Sequence, residues 1–204
     1  LVIAIGGDGA MLSCSREYGS QQIPILGINL GRLGFLTDIA PDEITTKLLE
    51  VLNGKYAVDK RFFLETSINK QKRSLLALNE VVIHSGIIAQ LIEFDLFVDE
   101  VFVYRQKADG LIINSPTGST AYSLSGGGPI VHPSLDAITL LPMFPHSLSS
   151  SPLIISAKSS INVRLINNSS SAQLSFDSHN FINLEGKNEI NICKSKSMLE
   201  LLHP

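Results

Sequence analysis

The sequence predicts an α/β plus all-β protein, an α/β unit followed by a β-sandwich, and three observations carry that prediction. The first third alternates short apolar runs with helical periodicity. The remainder is a succession of short apolar or alternating segments separated by turn residues. The change of character falls at Asn53-Gly54. Strand and helix signals in alternation point to a parallel sheet covered by helices, and serial short strands with turns between them point to a sandwich.

Residues 1–5 (LVIAI) are expected as a short all-apolar strand, of the kind buried on both faces of a parallel sheet. Residues 10–18 follow as a helix and residues 24–29 (PILGIN) as a second buried strand. Gly27, Gly31 and Gly34 punctuate the loop GINLGRLGFLTD. Residues 41–52 are expected as a helix. Pro41 suits its first turn, Ile44, Leu48, Leu49 and Leu52 fall on one face, and Asn53-Gly54 ends it.

Beyond that point the strand pattern takes over. Residues 61–69 (RFFLETSIN) and 74–84 flank a polar turn at 69–72 and read as a hairpin. Residues 91–98 and 101–105 flank Asp99-Glu100 as a second hairpin. Residues 161–166, 172–176 and 189–193 are further strands. The links at 167–171 (NNSSS) and 177–180 are rich in turn residues, and a serine-rich loop lies at 146–151.

Composition narrows the class. With 44% hydrophobic and 17% charged residues the chain has the make-up of a globular core. A net charge of −3 gives no reason to expect nucleic acid or an anionic membrane as partner. No apolar run reaches the ~20 residues that span a bilayer. No signal peptide is visible, and a chain that opens inside a strand without Met is expected to lack an N-terminal portion. Cys14 and Cys193, far apart, suit a reducing compartment, and the five scattered histidines show no zinc spacing.

Three places carry candidate chemistry. Gly6-Gly7-Asp8-Gly9 follows the first strand and opens a helix. Glycines there let a ligand approach the backbone, and the N–H groups of a helix start can cradle phosphate. A carboxylate repels phosphate, so Asp8 suggests chemistry or indirect metal binding; a tight turn with Asp8 as helix cap is the plainer reading, and both stand. The second place is ADGLIINSPTGSTAYSLSGGGPIVH at 108–132, dense in hydroxyls and glycines and too poor in apolar bulk for core. Its hydroxyls and N–H groups suit a ribose, amide or phosphate, and Tyr122 could stack on a flat ring. A long glycine-serine loop is the alternative, but its length and the preceding strand at 111–114 favour a binding loop. Asp109-Gly110 is either a plain turn or a carboxylate at the same site. The third place is Asn79-Glu80, two polar residues inside the apolar run LLALNEVVIH. A solvent-facing bulge explains them, and so does a hydrogen-bonding site.

Together, GGDG after a strand, LGFLTDI, NEVVIH, ADGLIINSPTGSTAYSLSGGGPI and ITLLPMFPHSLSSSPLII closely resemble the NAD kinase family, in the form found in many Gram-negative bacteria. The resemblance runs the length of the chain. The SPTGSTAYSLS string is highly specific, whereas GGDG also occurs in lipid kinases. The family carries more sequence before residue 1 and a short tail after residue 204.

The resemblance implies an enzyme that uses ATP and a divalent metal, Mg2+, to phosphorylate the 2′-hydroxyl of the adenosine ribose of NAD. It implies an incomplete α/β domain at 1–54, a β-sandwich at 55–190 and a segment at 191–204 returning towards the first domain. Asp8 would be the general base, with Gly6, Gly7 and Gly9 at the phosphates and Asp8 and Gly9 also facing NAD. Asn79 and Glu80 would hold ribose and base. Lys107 and Asp109 match the charged pair before the glycine, and Thr117, Thr120, Ala121, Tyr122, Ser123, Leu124 and Ser125 match the dinucleotide-binding stretch. His179 stands where relatives often carry Gln, with a contact that can cross a subunit boundary. Gln90 stands where relatives vary, and Gly126 where Ala is common. No protein ligand to the metal is assigned. A cytoplasmic homo-dimer or homo-tetramer is implied, with NAD and ATP as partners and neither nucleic acid nor membrane. A lipid or sugar kinase would need an acyl pocket or sugar-phosphate clamp that TGSTAYSLS does not offer. A non-catalytic nucleotide binder would gain little from Asp8.

Overall fold

The computed structural model describes residues 1–31, 34–69, 71, 74–86, 90–147, 150–166, 172–184 and 188–204. In chain order the elements are β1 (Val2–Ile5), α1 (Asp8–Tyr18), β2 (Ile25–Ile28), α2 (Ile44–Leu52), β3 (Ala57–Ile68), β4 (Leu75–Ala77), β5 (Glu80–His84), β6 (Ile92–Val98), β7 (Val101–Ala108) and β8 (Gly110–Asn114). There follow α3 (Tyr122–Ser125), β9 (Ala137–Met143), β10 (Leu153–Ser156), β11 (Ile161–Leu165), β12 (Ala172–Phe176), β13 (Asn180–Leu184) and β14 (Glu189–His203). Contacts divide the chain into two units, Leu1–Phe63 with Lys196–Pro204, and Leu64–Ser195. The class is the one the sequence predicts: an α/β unit and a β-rich unit. No helix among the described residues is long and apolar enough to cross a membrane.

In the first unit β2 is central. It pairs in parallel with β1, Val2 opposite Ile25, and with the end of β14, Leu201 opposite Ile25. All four β2 residues are buried, as a strand covered on both faces requires. β1 departs from the expectation of burial on both faces: among the described residues it pairs only with β2, and of its own residues only Ala4 is buried. The core joins Leu26, Ile28, Ile39, Val51 and Leu202, with Ile44 and Leu48 packed against it. This corrects the expected face of α2. Ile44, Leu48 and Val51, spaced by four and three, turn inward, so Leu49 and Leu52, each one residue further round, are 54% and 67% exposed.

The second unit contains two antiparallel arrangements. One runs from β14 through β11 and β6 to β7, Ile161 lying opposite both Ile192 and Val98. The other has the order β10-β9-β8-β5-β12-β13. The β6–β7 hairpin turns at Asp99 and Glu100, both with positive φ (50° and 66°), as an I′ turn needs. The expected strand at 74–84 is instead two, β4 and β5, interrupted at Leu78-Asn79. β9, β10 and β13 were not anticipated, and β14 runs ten residues beyond the expected end at 193. The expected link at 167–171 lies outside the described residues, as do parts of the turn at 69–72 and of the loop at 146–151.

Candidate nucleotide site

In the first unit the chain leaves β1, turns at Gly6-Gly7 and enters α1 at Asp8. Gly7 occupies the cap position, with no side-chain cap, so the reading of Asp8 as helix cap does not hold. Its carboxylate reaches the loop after β2 instead: Phe35 N–H donates to Oδ2 at 3.0 Å and Leu36 N–H to Oδ1 at 3.1 Å. Gly34 makes this approach possible, since a Cβ there would stand 2.1 Å from Asp8 Oδ1. Asp8 is half-buried, between exposed Gly7 and Gly9. Gly6 N–H is spent on Ile28 O at 2.9 Å, so it is a sheet donor rather than a phosphate donor. The N–H groups of Asp8 and Gly9, in the first turn of α1, have no intrahelical acceptor. A carboxylate fixed in orientation thus lies beside N–H groups at the positive end of a helix dipole.

In the second unit the third place of interest is not a solvent-facing bulge. Asn79 is 8% and Glu80 2% exposed. Asp177, in the turn between β12 and β13, accepts N–H groups from Leu78, Asn79 and Glu80 at 3.0, 2.7 and 3.2 Å. Gly118 packs against the Asn79 carbonyl so closely that a Cβ there would stand 2.3 Å from it. Asn79 Oδ1 and Glu80 Oε2 are buried without a hydrogen-bond partner. Ser178 Oγ donates to Glu80 Oε1 at 3.4 Å. Burial first, then the neighbouring Asp177 charge, pushes the Glu80 carboxyl up to about 7, against the pull of the Ser178 hydroxyl.

The hydroxyl-rich stretch is less exposed than its composition suggests. Ser115, Thr117, Ser119 and Ser123 are buried. Ser115 Oγ donates to Leu78 O at 2.6 Å, and Ser119 Oγ donates to Pro116 O at 2.7 Å while accepting Val131 N–H at 3.0 Å. These hydroxyls serve the protein's own backbone, which is how a segment poor in apolar bulk enters the interior. Ser123 Oγ, buried beside Gly128, has no partner. The outward part is later: Thr120 and Ala121 are half-buried, and Tyr122, Leu124 and Ser125 are exposed.

Tyr122, 43% exposed, lines two cavities. One, of about 450 Å3, also meets Val82, His84, Asp109, Ser175 and Ser178. The other, of about 520 Å3, meets Ser125, Gly126, Gly127 and Phe144. Burial pushes the His84 imidazole down, towards its neutral form. Asp109 is half-buried and anchored by its N–H to Met143 O at 3.0 Å. Lys107 parts from Asp109: it is exposed and lies 3.8 Å from Glu93, its neighbour on β6. His179 is exposed, its Nδ1 3.1 Å from Asp177 O. Gln90 is exposed beside undescribed residues. The sequence reading missed Asp177, His84, Ser178 and Phe144. The one signal for Asp177 was an acidic residue opening a turn. Among the described residues no three His, Cys, Asp or Glu side chains gather as a metal cage.

Residues 1–56 match the ATP-NAD kinase N-terminal domain and residues 78–203 the ATP-NAD kinase C-terminal domain. The NAD kinase of Teredinibacter turnerae is 48% identical over 208 residues, and that of Photorhabdus laumondii 49% over 207. Each match takes in 100% of this chain and 71% of the relative. The crystal structure of yeast NADH kinase complexed with NADH superposes with a TM-score of 0.90 at 34% identity, covering 99% of this chain and 61% of that one. The structure of an NAD kinase from Archaeoglobus fulgidus in complex with ATP gives 0.84 at 31% identity, covering 98% and 76%. With both halves matched and nearly half of its residues shared with such relatives, the chain belongs to the NAD kinase family, the kinases that phosphorylate NAD at the expense of ATP.

Proposed function

We propose that the protein transfers the γ-phosphoryl group of ATP to the 2′-hydroxyl of the adenosine ribose of NAD, with Asp8 as general base. The observation that carries this reading is the Asp8 carboxylate. Two backbone N–H groups orient it at the start of α1 while it stays half-buried. In the step proposed, the 2′-hydroxyl proton passes to Asp8 as O2′ bonds to the γ-phosphorus. The bond from that phosphorus to the bridging β–γ oxygen breaks, leaving NADP and ADP. A positioned base contributes roughly 10²–10⁴-fold to such a transfer, and positioning and charge neutralisation supply the rest.

The other roles follow from what each group lacks. Asn79 Oδ1 and Glu80 Oε2 are buried oxygens without a hydrogen-bond partner among the described residues. Ribose hydroxyls and the adenine amino group are donors. Tyr122 offers an exposed ring for stacking, and beside it Thr120 and Ala121 are half-buried and Ser125 exposed. The N–H groups of Asp8 and Gly9 suit phosphate oxygens. The donors at this end fit phosphate rather than a cation, and a divalent ion carried on the triphosphate would neutralise phosphate charge. The reading includes a cytoplasmic homo-dimer or homo-tetramer, with His179 exposed and able to meet ligand.

The test is direct. The protein is mixed with NAD and Mg-ATP, and NADP is read through an NADP-specific dehydrogenase. Steady NADP formation is expected; none would overturn the reading.

A further inference from the structure

The interruption between β4 and β5 is governed by two residues. Asp177 accepts the N–H groups of Leu78, Asn79 and Glu80 and returns its own N–H to Glu80 O at 3.0 Å. Ser115 supplies the rest: its N–H donates to Asn79 O at 2.9 Å and its hydroxyl to Leu78 O at 2.6 Å. All six backbone polar groups of residues 78–80 are thus engaged by Asp177 or Ser115. The side-chain acceptors Asn79 Oδ1 and Glu80 Oε2 are buried and left unmet. A segment whose backbone is fully satisfied and whose side chains are not is arranged for a donor from outside.

The turn that delivers Asp177 is strained. Asp177 and Ser178 both have positive φ (48° and 56°), and His179 N–H closes the turn on Phe176 O at 3.1 Å. Such a turn favours Asn-Gly or Asp-Gly, and here neither central residue is glycine. Strain of this kind persists where the surroundings over-determine it. Three charge-assisted bonds from one buried carboxylate do so.

We propose that Asp177 is a positioning residue for NAD: its carboxylate locks the backbone of residues 78–80 so that the Asn79 and Glu80 side chains meet the ribose and base as fixed hydrogen-bonding groups. The proposal rests on the assignment of Asn79 and Glu80 to NAD. Asp177 touches no substrate; it acts through the two residues it holds. Asp177→Asn keeps the volume but sets an amide donor where Oδ2 now accepts one N–H or Oδ1 two, so at least one bond becomes a donor–donor conflict.

The experiment compares wild type, Asp177→Asn and Asp177→Ala by steady-state kinetics in both substrates, with thermal unfolding alongside. Asp177→Asn is expected to raise the KM for NAD by about tenfold or more, with the KM for ATP within about twofold of wild type. Asp177→Ala is expected to go further in the same direction. A loss of active protein with the KM for NAD unchanged in the active fraction overturns the proposal, because it makes Asp177 merely structural. If neither variant folds, amide exchange in the wild type without ligand decides: the N–H groups of Leu78, Asn79 and Glu80 must be protected, and exchange at loop rates overturns the lock. Inactive wild type would instead sink the kinase reading itself, so the two failures are distinguishable.

Discussion

Asp8 accepts two backbone N–H groups and stays half-buried, whereas Asp177 accepts three and is 2% exposed. Both carboxylates are anchored to backbone donated from a distant part of the chain. Under the proposed function, Asp8 keeps lone pairs for a reactant. Asp177 spends its own on an internal segment, and the oxygens left unmet there are the buried Asn79 Oδ1 and Glu80 Oε2. Exposure is what separates the group proposed to react from the one proposed to arrange. Each place also has a glycine pressed against it, Gly34 against the Asp8 carboxylate and Gly118 against the Asn79 carbonyl.

Substitutions that break or sharpen this contrast differ in size. Asp8→Asn should cost the most, roughly 10²–10⁴-fold in kcat, measured as NADP formed at saturating NAD and ATP. Gly34→Ala should come next. Its Cβ would displace the Asp8 carboxylate, and a misplaced base loses about 10²-fold in kcat while thermal unfolding changes little. Gly118→Ala meets backbone rather than a movable side chain, so its effect is on stability. Chemical denaturation should show a loss of about 1–3 kcal/mol, the usual cost of overpacking, together with weaker NAD binding.

Glu80→Gln should act least on the unperturbed fold and most on its pH dependence. The Glu80 carboxyl rises from near 4.5 to about 7 on folding, so its neutral form is the favoured one in the folded protein. The stability it contributes is fully present below pH 4.5 and is lost as pH rises through about 7. Gln cannot ionise. The variant should therefore be more stable than wild type well above pH 7, by on the order of 3 kcal/mol, with a flatter stability curve below it. Identical slopes in the two proteins between pH 5 and 7 would show that Glu80 does not titrate there.

Local patterns made part of this legible. The apolar run before GGDG, the Asp99-Glu100 hairpin and the strand at 172–176 are short-range signals, and β1, β7 and β12 follow them. The face of α2 was misjudged because both Leu48 and Leu49 fit an apolar stripe, and only the packing of β2 against Val51 selects between them. The hydroxyl stretch looked too poor in apolar bulk for core because composition cannot tell a serine that binds ligand from Ser115 or Ser119, whose hydroxyls satisfy backbone. Asn79-Glu80 stood out as polar residues in an apolar run. Their partner Asp177 lies almost a hundred residues away and looked like any acidic turn residue, because a bond of that span leaves no periodic trace.

The central claim is that Asp8 acts on bound substrate rather than holding the fold. The measurement that meets it most directly is NAD binding by calorimetry to Asp8→Asn, set beside its turnover. The claim predicts NAD affinity within about threefold of wild type while NADP formation nearly vanishes. Equal loss of binding and turnover would contradict it and make Asp8 a structural anchor of the loop at Phe35 and Leu36.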